Sequence, residues 1–329
     1  MQPPPKLTVL GSLNMDISVL VRRLPIPGQT VLGSGPVIAP GGKGANQAVA
    51  AARLGSQVRM IGCSGDDEFG QRARSALEAE GVDVSGVRAV AGTATGLALI
   101  TVDAAGENMI TVAPGANAQA GEAETAAALS ASCDILVLSA EIPAAVLAAV
   151  LAGVGGAAGG AGVSGAAGGA GVSGAAPTCL LNLAPAPPEA AALLAEGVAW
   201  LVVNESEAAA ILRRDVAGRA EARAAARELR DLGARYAVVT AGPDGAALAG
   251  PAGGEMIPSF TVDSMDSVGA GDAFVAALAV ALAARVAPAD AVRAACAAGA
   301  AATTRRGTQD ALPQPRDILA ATGMAWPVG

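Results

Sequence analysis

Apolar residues occur along this chain in short runs that predict β-strands, separated by longer segments with helical periodicity. Strands are predicted at residues 7–13, 57–63, 135–139, 179–183, 199–203 and 236–240. Helices are predicted at residues 45–54, 67–80, 122–130, 143–152, 218–232 and 290–304. The apolar run 275–284 predicts one more helix, which has no polar face and is expected to be buried.

Two stretches depart from this alternation and predict small exposed strands. Residues 17–39 mix β-branched residues with prolines and glycines, which is more typical of a flap than of a core element. Residues 95–102 and 108–112 predict a hairpin around Asp103-Ala-Ala-Gly106.

Residues 153–176 form a low-complexity stretch. The unit Ala-Ala-Gly-Gly-Ala-Gly-Val-Ser-Gly occurs there twice in tandem. Gly153-Val-Gly155 is similar to part of a dinucleotide fingerprint, but it follows a helical segment instead of a strand. The composition therefore predicts a flexible surface loop to which we assign no function.

The stretch Asp266-Ser-Val-Gly-Ala-Gly-Asp-Ala-Phe274 begins the apolar helix and carries a sharp chemical signal. Gly269, Ala270 and Gly271 are small and lie at a helix N-terminus, where unpaired N–H groups and the helix dipole favour an anion. Asp272 places a carboxylate beside this anion site, which suits a base next to a transferring phosphoryl group. An N-terminal helix cap is an equally good interpretation of Asp272 from this segment alone.

A second signal is the glycine-rich turn Pro40-Gly-Gly-Lys-Gly-Ala-Asn-Gln47, which leads into a helix. It is not a Walker A loop, because Val37 occupies the first glycine position and Gly44 follows the lysine. Its backbone N–H groups could meet a polyhydroxyl ligand or a phosphate, with Lys43 and Asn46 at the mouth. A plain turn at a helix start is the alternative interpretation.

Polar residues follow three of the predicted strands. Asn14 and Asp16 follow the first strand, and Glu141 follows the strand 135–139. Ligands of open α/β sheets bind at the carboxyl ends of strands, so these residues are placed for hydroxyl recognition, although turn residues are the alternative. Asn204 and Glu207 follow another strand and suit hydrated Mg²⁺, while a helix cap is the stronger local interpretation.

Composition narrows the class of protein. The chain has 329 residues, 52% of them hydrophobic but only 2% aromatic, and a net charge of −8, which argues against nucleic acid as a partner. The apolar run 273–284 stops at Arg285, short of the ~20 residues that span a bilayer. The N-terminus lacks the layout of a signal peptide, so we expect a cytoplasmic protein without membrane association.

The chain contains no histidine and four scattered cysteines, which argues against the usual zinc sites and against every histidine-based triad. We expect the cysteines to be buried free thiols. Acid–base chemistry must then come from carboxylates, lysine, Tyr236 or cysteine.

Three motifs, taken in order, resemble the ribokinases of the phosphofructokinase-B group of sugar kinases. They are Leu10-Gly-Ser-Leu-Asn-Met-Asp16, Pro40-Gly-Gly-Lys-Gly-Ala-Asn-Gln-Ala48 and Asp266-Ser-Val-Gly-Ala-Gly-Asp272. The resemblance covers residues 7–313 apart from the low-complexity loop. It implies one domain over residues 1–329, with a three-layer α/β/α core, a mostly parallel sheet, and a small β-sheet lid within residues 13–40 and 93–113. The lid also implies a homodimer.

The resemblance further implies ATP-dependent phosphorylation of the primary hydroxyl of ribose, with Mg²⁺ and a monovalent cation, usually K⁺. Asp272 would be the base, and Gly269, Ala270 and Gly271 the anion hole. The implied sugar-binding residues are Asn14, Met15, Asp16, Gly42, Lys43, Gly44, Ala45, Asn46, Glu141 and Asp272. The implied ATP-binding residues are Asn204, Thr240, Ala241, Gly242, Pro243, Asp244, Gly245, Gly271, Asp272 and Cys296. The implied K⁺ residues are Asp266, Val268, Ala302, Arg305, Gly307 and Ala311, and Asn204 and Glu207 would hold Mg²⁺ through water.

Two departures from the family pattern modify these expectations. Ala311 stands where ribokinases often have serine, which would weaken K⁺ dependence, and Cys296 stands where histidine or asparagine often lies near adenine, which would relax nucleotide choice. Kinases of deoxyribose, a nucleoside or a keto sugar are the nearest alternatives. A non-catalytic sugar or nucleotide sensor and a nicotinamide dehydrogenase are the alternatives from other classes.

Overall fold

The computed structural model describes residues 3–105, 107–158 and 177–328, without the side chains of residues 156–158. Its strands are β1 Lys6–Leu10, β2 Asn14–Leu20, β3 Val37–Gly41, β4 Gln57–Gly65, β5 Asp83–Val90, β6 Gly96–Val102, β7 Asn108–Ala113, β8 Ile135–Ser139, β9 Thr178–Asn182, β10 Val198–Asn204, β11 Ala234–Thr240, β12 Ala246–Gly250 and β13 Gly253–Ile257. Its α-helices are α1 Lys43–Arg53, α2 Glu68–Ala79, α3 Glu122–Leu129, α4 Ala144–Ala158, α5 Ala190–Ala195, α6 Glu205–Leu212, α7 Gly218–Asp231, α8 Ala270–Ala283, α9 Pro288–Ala302 and α10 Pro315–Thr322. Short 3₁₀ turns occupy Gly115–Gln119, Gly242–Asp244 and Gln309–Ala311.

The main sheet has nine strands in the order β13-β12-β11-β10-β9-β8-β1-β4-β5. The strands from β11 to β5 run parallel, whereas β12 and β13 form an antiparallel extension at one edge. Parallel neighbours need crossover connections, which here are mostly helices that lie on the two faces of the sheet. The predicted mostly parallel α/β fold is confirmed.

Side-chain alternation along the strands divides the interior into two cores. Leu7 and Val9 of β1 point to the side covered by α1, α8 and α9, whereas Leu10 points to the side covered by α4 and α7. Val137 and Leu138 of β8 divide in the same way. Because the parallel strands are buried on both faces, their sequences are continuous apolar runs, and this is why they could be located from sequence.

A second, four-stranded sheet has the order β3-β2-β6-β7. The predicted hairpin of β6 and β7 is present, and β2 pairs with β3 in antiparallel and with β6 in parallel register. The predicted first strand is too long, because β1 ends at Leu10 and Asn14 already begins β2. Asn14 and Asp16 are therefore strand residues of the small sheet and not residues of a turn.

Other elements lay outside the predicted pattern. The edge strands β5 and β13, and β12 next to β13, are partly exposed or rich in glycine and alanine, so their apolar signal is weak. Helix α4 continues to Ala158, so the predicted loop starts later than residue 153. The remainder of that loop, residues 159–176, lies outside the described residues. Within the described part of the chain, no helix combines the length and hydropathy needed to span a membrane.

Gly44 fixes the start of α1 against the end of β1. A Cβ atom at Gly44 would lie 2.7 Å from the Gly11 carbonyl carbon and from the Ser12 amide nitrogen. Gly44 therefore allows the backbone of α1 to contact the backbone of residues 11 and 12, whereas the sequence suggested that it opens the backbone to a ligand.

We predict that Gly44→Ala destabilises the fold by about 1–3 kcal/mol, the usual penalty for an overpacked site. Gly35→Ala is the matched control, because a Cβ there meets no atom within 4 Å. Urea unfolding of both variants measures the difference, and equal stabilities would show that α1 can move away from β1.

Candidate active site

Asp272 lies in the first turn of α8, three residues after the N-cap Gly269, whose φ of 78° is in the left-handed region. Its side chain does not cap the helix. Instead, Oδ2 accepts a hydrogen bond from Asn46 Nδ2 (2.9 Å) and Oδ1 accepts one from Gln47 Nε2 (3.0 Å), both from the first turn of α1. The cap interpretation of Asp272 is therefore wrong, and the carboxylate is a buried group aimed at the glycine-rich turn of α1.

Glu141 stands at the end of β8 and joins that strand to the same turn. Its Oε2 accepts hydrogen bonds from Ser12 Oγ (2.6 Å) and from the Lys43 backbone N–H (3.1 Å). Ser12 Oγ in turn lies 3.4 Å from the Gly44 amide nitrogen that donates to it. Ser12 thus orients Glu141 beside the N-terminus of α1. The sequence pattern indicated no role for this serine.

Asn14 and Asp16 bring the small sheet to the space beside Lys43, Glu141 and Asp272, which we call the pocket. They lie on the same face of β2, and Met15 between them points to the opposite face and is fully buried. Asn14 Oδ1 accepts a hydrogen bond from Asn117 Nδ2 (2.8 Å), and Asn117 also bonds both backbone groups of Leu13. Asn117 is a second residue that sequence reasoning missed, because the turn that carries it has no distinctive pattern.

Lys43 is surrounded by acidic groups. The charge of Asp272 raises the pKa of the lysine most, burial lowers it, and Glu141, Glu207 and Asp16 raise it further. Burial, followed by the charges of Glu141 and Asp272, raises the pKa of Asp16 to about 6, against the opposing effects of Lys43 and the Thr308 hydroxyl. The pocket therefore holds several carboxylates around one ammonium group, an arrangement suited to polyhydroxyl recognition.

A cleft of about 450 Å³ adjoins the N-terminus of α8. It is lined by the predicted residues Thr240, Gly242, Pro243, Gly245, Gly271 and Cys296. The segment before α8 supplies further lining residues that were not predicted, namely Ser259, Phe260, Thr261, Val262, Ser264 and Ser267. This volume is within the usual range for small-molecule sites. The walls of the cleft are mostly apolar, which suits the aromatic ring of a nucleotide.

The start of α8 borders both compartments, because Ala270 and Gly271 line the cleft and Asp272 contacts Asn46 and Gln47. The Ala270 N–H donates to the Ser267 carbonyl at 3.3 Å, so Ala270 is less available to an anion than its neighbours. Gly271 and Asp272 occupy the next helical positions, where backbone donors have no partner within the helix. This terminus can therefore receive negative charge between the two compartments.

The residues of the expected K⁺ site lie on two loops that Asp266 joins. Its carboxylate accepts hydrogen bonds from the Val268 N–H (3.0 Å) and the Gly307 N–H (3.1 Å). Ala302 ends α9, Ala311 is buried in a 3₁₀ turn, and the Arg305 guanidinium pairs with Asp317 at 2.6 Å. The carboxylate of Asp266 thus joins the segment before α8 to the segment after α9.

Asn204 and Glu207 form the capping box of α6, as the stronger local interpretation predicted. Asn204 Oδ1 accepts the Glu207 N–H (2.9 Å), and Glu207 Oε2 accepts the Asn204 N–H (2.8 Å). Burial raises the pKa of Glu207, and the nearby charge of Lys43 opposes that rise. Glu207 therefore contributes to the electrostatics of the site even though it also caps a helix.

Some expected site residues do not face the pocket or the cleft with a side chain. Ala45 is in the core, Met15 is buried on the opposite face of β2, and Gly44 has no side chain. Of the expected ATP-binding residues, Asn204, Ala241, Asp244 and Asp272 do not line the cleft, although Asp272 faces the pocket.

A carboxylate at a helix N-terminus, a polar pocket on one side and an apolar cleft on the other define a phosphotransferase site for a small hydroxylated molecule. Residues 4–315 match the model of the pfkB family carbohydrate kinases. The chain belongs to this family.

Known members are similar over almost the whole chain. The ribokinase of Haemophilus influenzae is 34% identical over 315 residues, which covers 95% of this chain and 97% of the relative. The deoxyribokinase of Salmonella typhi is 32% identical over 271 residues, covering 82% and 83% of the two chains. The solved structure of Arabidopsis thaliana ribokinase complexed with ribose and ATP superposes with a TM-score of 0.80 at 26% identity, covering 97% and 98%.

We predict that Asp16→Asn weakens sugar binding but stabilises the fold at pH 7.5 by on the order of 1–3 kcal/mol. Because the folded-state pKa of Asp16 is raised from 3.8 to about 6, the folded protein binds the proton more tightly, and stability is lost as pH rises through this window. The gain of the variant should therefore disappear near pH 4. Thermal unfolding against pH measures it, with the exposed Glu196→Gln as control. A stabilisation that is independent of pH would contradict the raised pKa of Asp16 in the folded protein.

Proposed function

We propose that this chain is an ATP-dependent ribokinase that phosphorylates the primary hydroxyl of D-ribose. The observation that carries the proposal is the position of Asp272, whose carboxylate contacts Asn46 and Gln47 of the glycine-rich turn while its helix terminus adjoins the cleft. The similarity to ribokinases over 95% of the chain supports the choice of a pentose.

In the proposed reaction, Asp272 accepts the proton of the sugar hydroxyl as its oxygen attacks the γ-phosphorus. A bond forms between the sugar oxygen and phosphorus, the bond to the β-phosphate oxygen breaks, and ADP leaves with that electron pair. Gly269, Ala270 and Gly271 would face the charge on the transferring group. Catalysis then rests on positioning and charge stabilisation, as in other phosphoryl transfers.

The sugar would lie between the small sheet and α1. Asn14 and Asp16 would bind it from the lid, with Gly42, Lys43, Asn46 and Glu141 on the other side. Oxygen acceptors on several elements and one ammonium group suit a ring with several hydroxyl groups. The nucleotide would occupy the cleft beside Thr240, Gly245 and Cys296.

Two cations belong to the proposal. Mg²⁺ neutralises phosphate charge when bound, and Glu207 with Asn204 would hold its water shell, because a carboxylate has a second oxygen besides the one in the capping box. The Asp266 carboxylate and backbone carbonyls near Val268, Ala302, Arg305 and Gly307 would hold K⁺. Ala311 offers no side-chain oxygen there, so we expect a modest K⁺ effect.

The lid is also the proposed dimer interface of this single-domain chain. Large apolar side chains are exposed on it, among them Leu20 (56% exposed), Leu99 (48%) and Ile110 (50%). Exposed apolar residues clustered on one sheet are typical of an interaction surface. Sedimentation velocity at micromolar concentration measures whether the chain is a dimer.

The function is tested by coupled ADP release over a panel of pentoses, keto sugars and nucleosides, with and without K⁺. We expect the highest kcat/KM with ribose. Deoxyribose is the second candidate, because a deoxyribokinase is among the similar proteins. No turnover with any pentose would refute the proposal.

We predict that Asp272→Asn lowers kcat by about 10²–10⁴-fold, the usual contribution of a general base. The amide keeps the shape of the carboxylate, so folding and sugar binding should persist in calorimetric titration. A near-normal kcat in this variant would remove Asp272 from the role of base.

A further inference from the structure

The carboxylate of Asp272 is connected to the main sheet by two buried amide side chains. Gln47 Nε2 donates to Asp272 Oδ1 (3.0 Å) and to Asn182 Oδ1 (2.9 Å). Asn182 Nδ2 donates to the Val202 carbonyl (3.1 Å) on the neighbouring strand β10. Gln47 is 1% exposed and Asn182 is 6% exposed, so neither side chain can exchange these partners freely for bulk water.

The donors and acceptors of this chain of hydrogen bonds have only one consistent direction. A backbone carbonyl only accepts, so the NH₂ group of Asn182 must face Val202 and its oxygen must face Gln47. The NH₂ group of Gln47 must then face both Asn182 and Asp272. A donor is thereby held against Oδ1 of Asp272, and this bond fixes the orientation of the carboxylate.

The second oxygen of Asp272 is held differently. Its Oδ2 bonds Asn46 Nδ2, and Asn46 Oδ1 accepts a hydrogen bond from Gln309 Nε2 (3.2 Å). Asn46 is a proposed sugar ligand, so an incoming hydroxyl competes for the bond at Oδ2. The bond from Gln47 to Oδ1 is the one that does not involve a proposed sugar ligand.

Stability alone does not explain Gln47. Its Oε1 atom is buried and has no hydrogen-bond partner among the described residues. A buried acceptor left in this state opposes folding unless a water meets it. An apolar side chain of similar size would remove this unpaired acceptor but would leave the Asn182 and Asp272 oxygens without their donor, so the useful property of Gln47 is its two-way donor group.

We propose that Gln47 and Asn182 are positioning residues that orient the Asp272 carboxylate, with Oδ2 directed to the sugar hydroxyl. This inference rests on the proposed function. It predicts that the two amides affect the orientation of the base and hence kcat, whereas the residues around Lys43 affect sugar affinity.

The test compares kcat with sugar affinity for Gln47→Leu, with kcat measured at saturating sugar and ATP. Loss of the donor leaves Oδ1 of Asp272 without its fixed partner, so the carboxylate should be less well aligned with the sugar hydroxyl. At pH 7, kcat should fall by roughly tenfold or more, since a general base contributes about 10²–10⁴-fold and misalignment removes part of it. Sugar affinity from calorimetric titration should change less than about threefold, because Gln47 is not a proposed sugar ligand and its loss removes no contact with the bound sugar.

Asn182→Leu provides a second variant that leaves Gln47 in place. It should lower kcat by a smaller factor, and the double variant should be no worse than Gln47→Leu alone, because both substitutions break one chain of bonds. Gln309→Leu is the matched control. It loosens Asn46, a proposed sugar ligand, so it should raise the sugar KM more than it lowers kcat.

The possible outcomes separate the two proposals. A wild-type enzyme inactive on every sugar refutes the proposed function before any variant is made. An active wild type with folded variants whose kcat matches it refutes the positioning role alone, as does a lowered melting temperature with unchanged kcat. If Gln47→Leu fails to fold, the kcat of Asn182→Leu decides the question.

Discussion

The constraint on which this structure depends is the placement of several carboxylates in one partly buried site. A charge removed from water is unfavourable unless hydrogen bonds or opposite charges replace its hydration. Asp272 receives Asn46 and Gln47, Glu141 receives Ser12 and the Lys43 amide, and the Lys43 ammonium lies among them. The site therefore exists only where the partners from separate elements meet.

Helix α1 supplies most of those partners, and its position follows from backbone packing. Gly44 lets its first turn touch the end of β1, and its other side packs against α8. At the far end, Arg53 pairs with Glu80 (2.6 Å) and donates to the carbonyls of Gln309 (2.6 Å) and Leu312 (2.9 Å). Helix α1 thus fixes the glycine-rich turn, the Asp272 carboxylate and the loop that holds Gln309.

The small sheet adds a third carboxylate whose negative charge is unfavourable at its position. Asp16 lies on β2 close to Glu141 and Asp272, and burial together with these two charges raises its pKa to about 6. Gly41 has no side chain because any Cβ atom would collide with the Asp16 carboxylate. Asp16 therefore weakens folding near neutral pH, and under the proposed function it supplies an acceptor for a sugar hydroxyl at the same position.

The sequence by itself determined the central strands, the buried helix α8 and the polar groups that end β8 and begin α1, because continuous apolar runs and glycine turns are local signals. It also indicated the family through three motifs. The tertiary structure decided whether Asp272 caps a helix or faces Asn46, a contact across 226 positions of sequence. It likewise showed that Asn14 and Asp16 belong to a strand, and it identified Ser12, Asn117 and Asn182, since a buried amide or hydroxyl acquires its role from partners that no local pattern specifies.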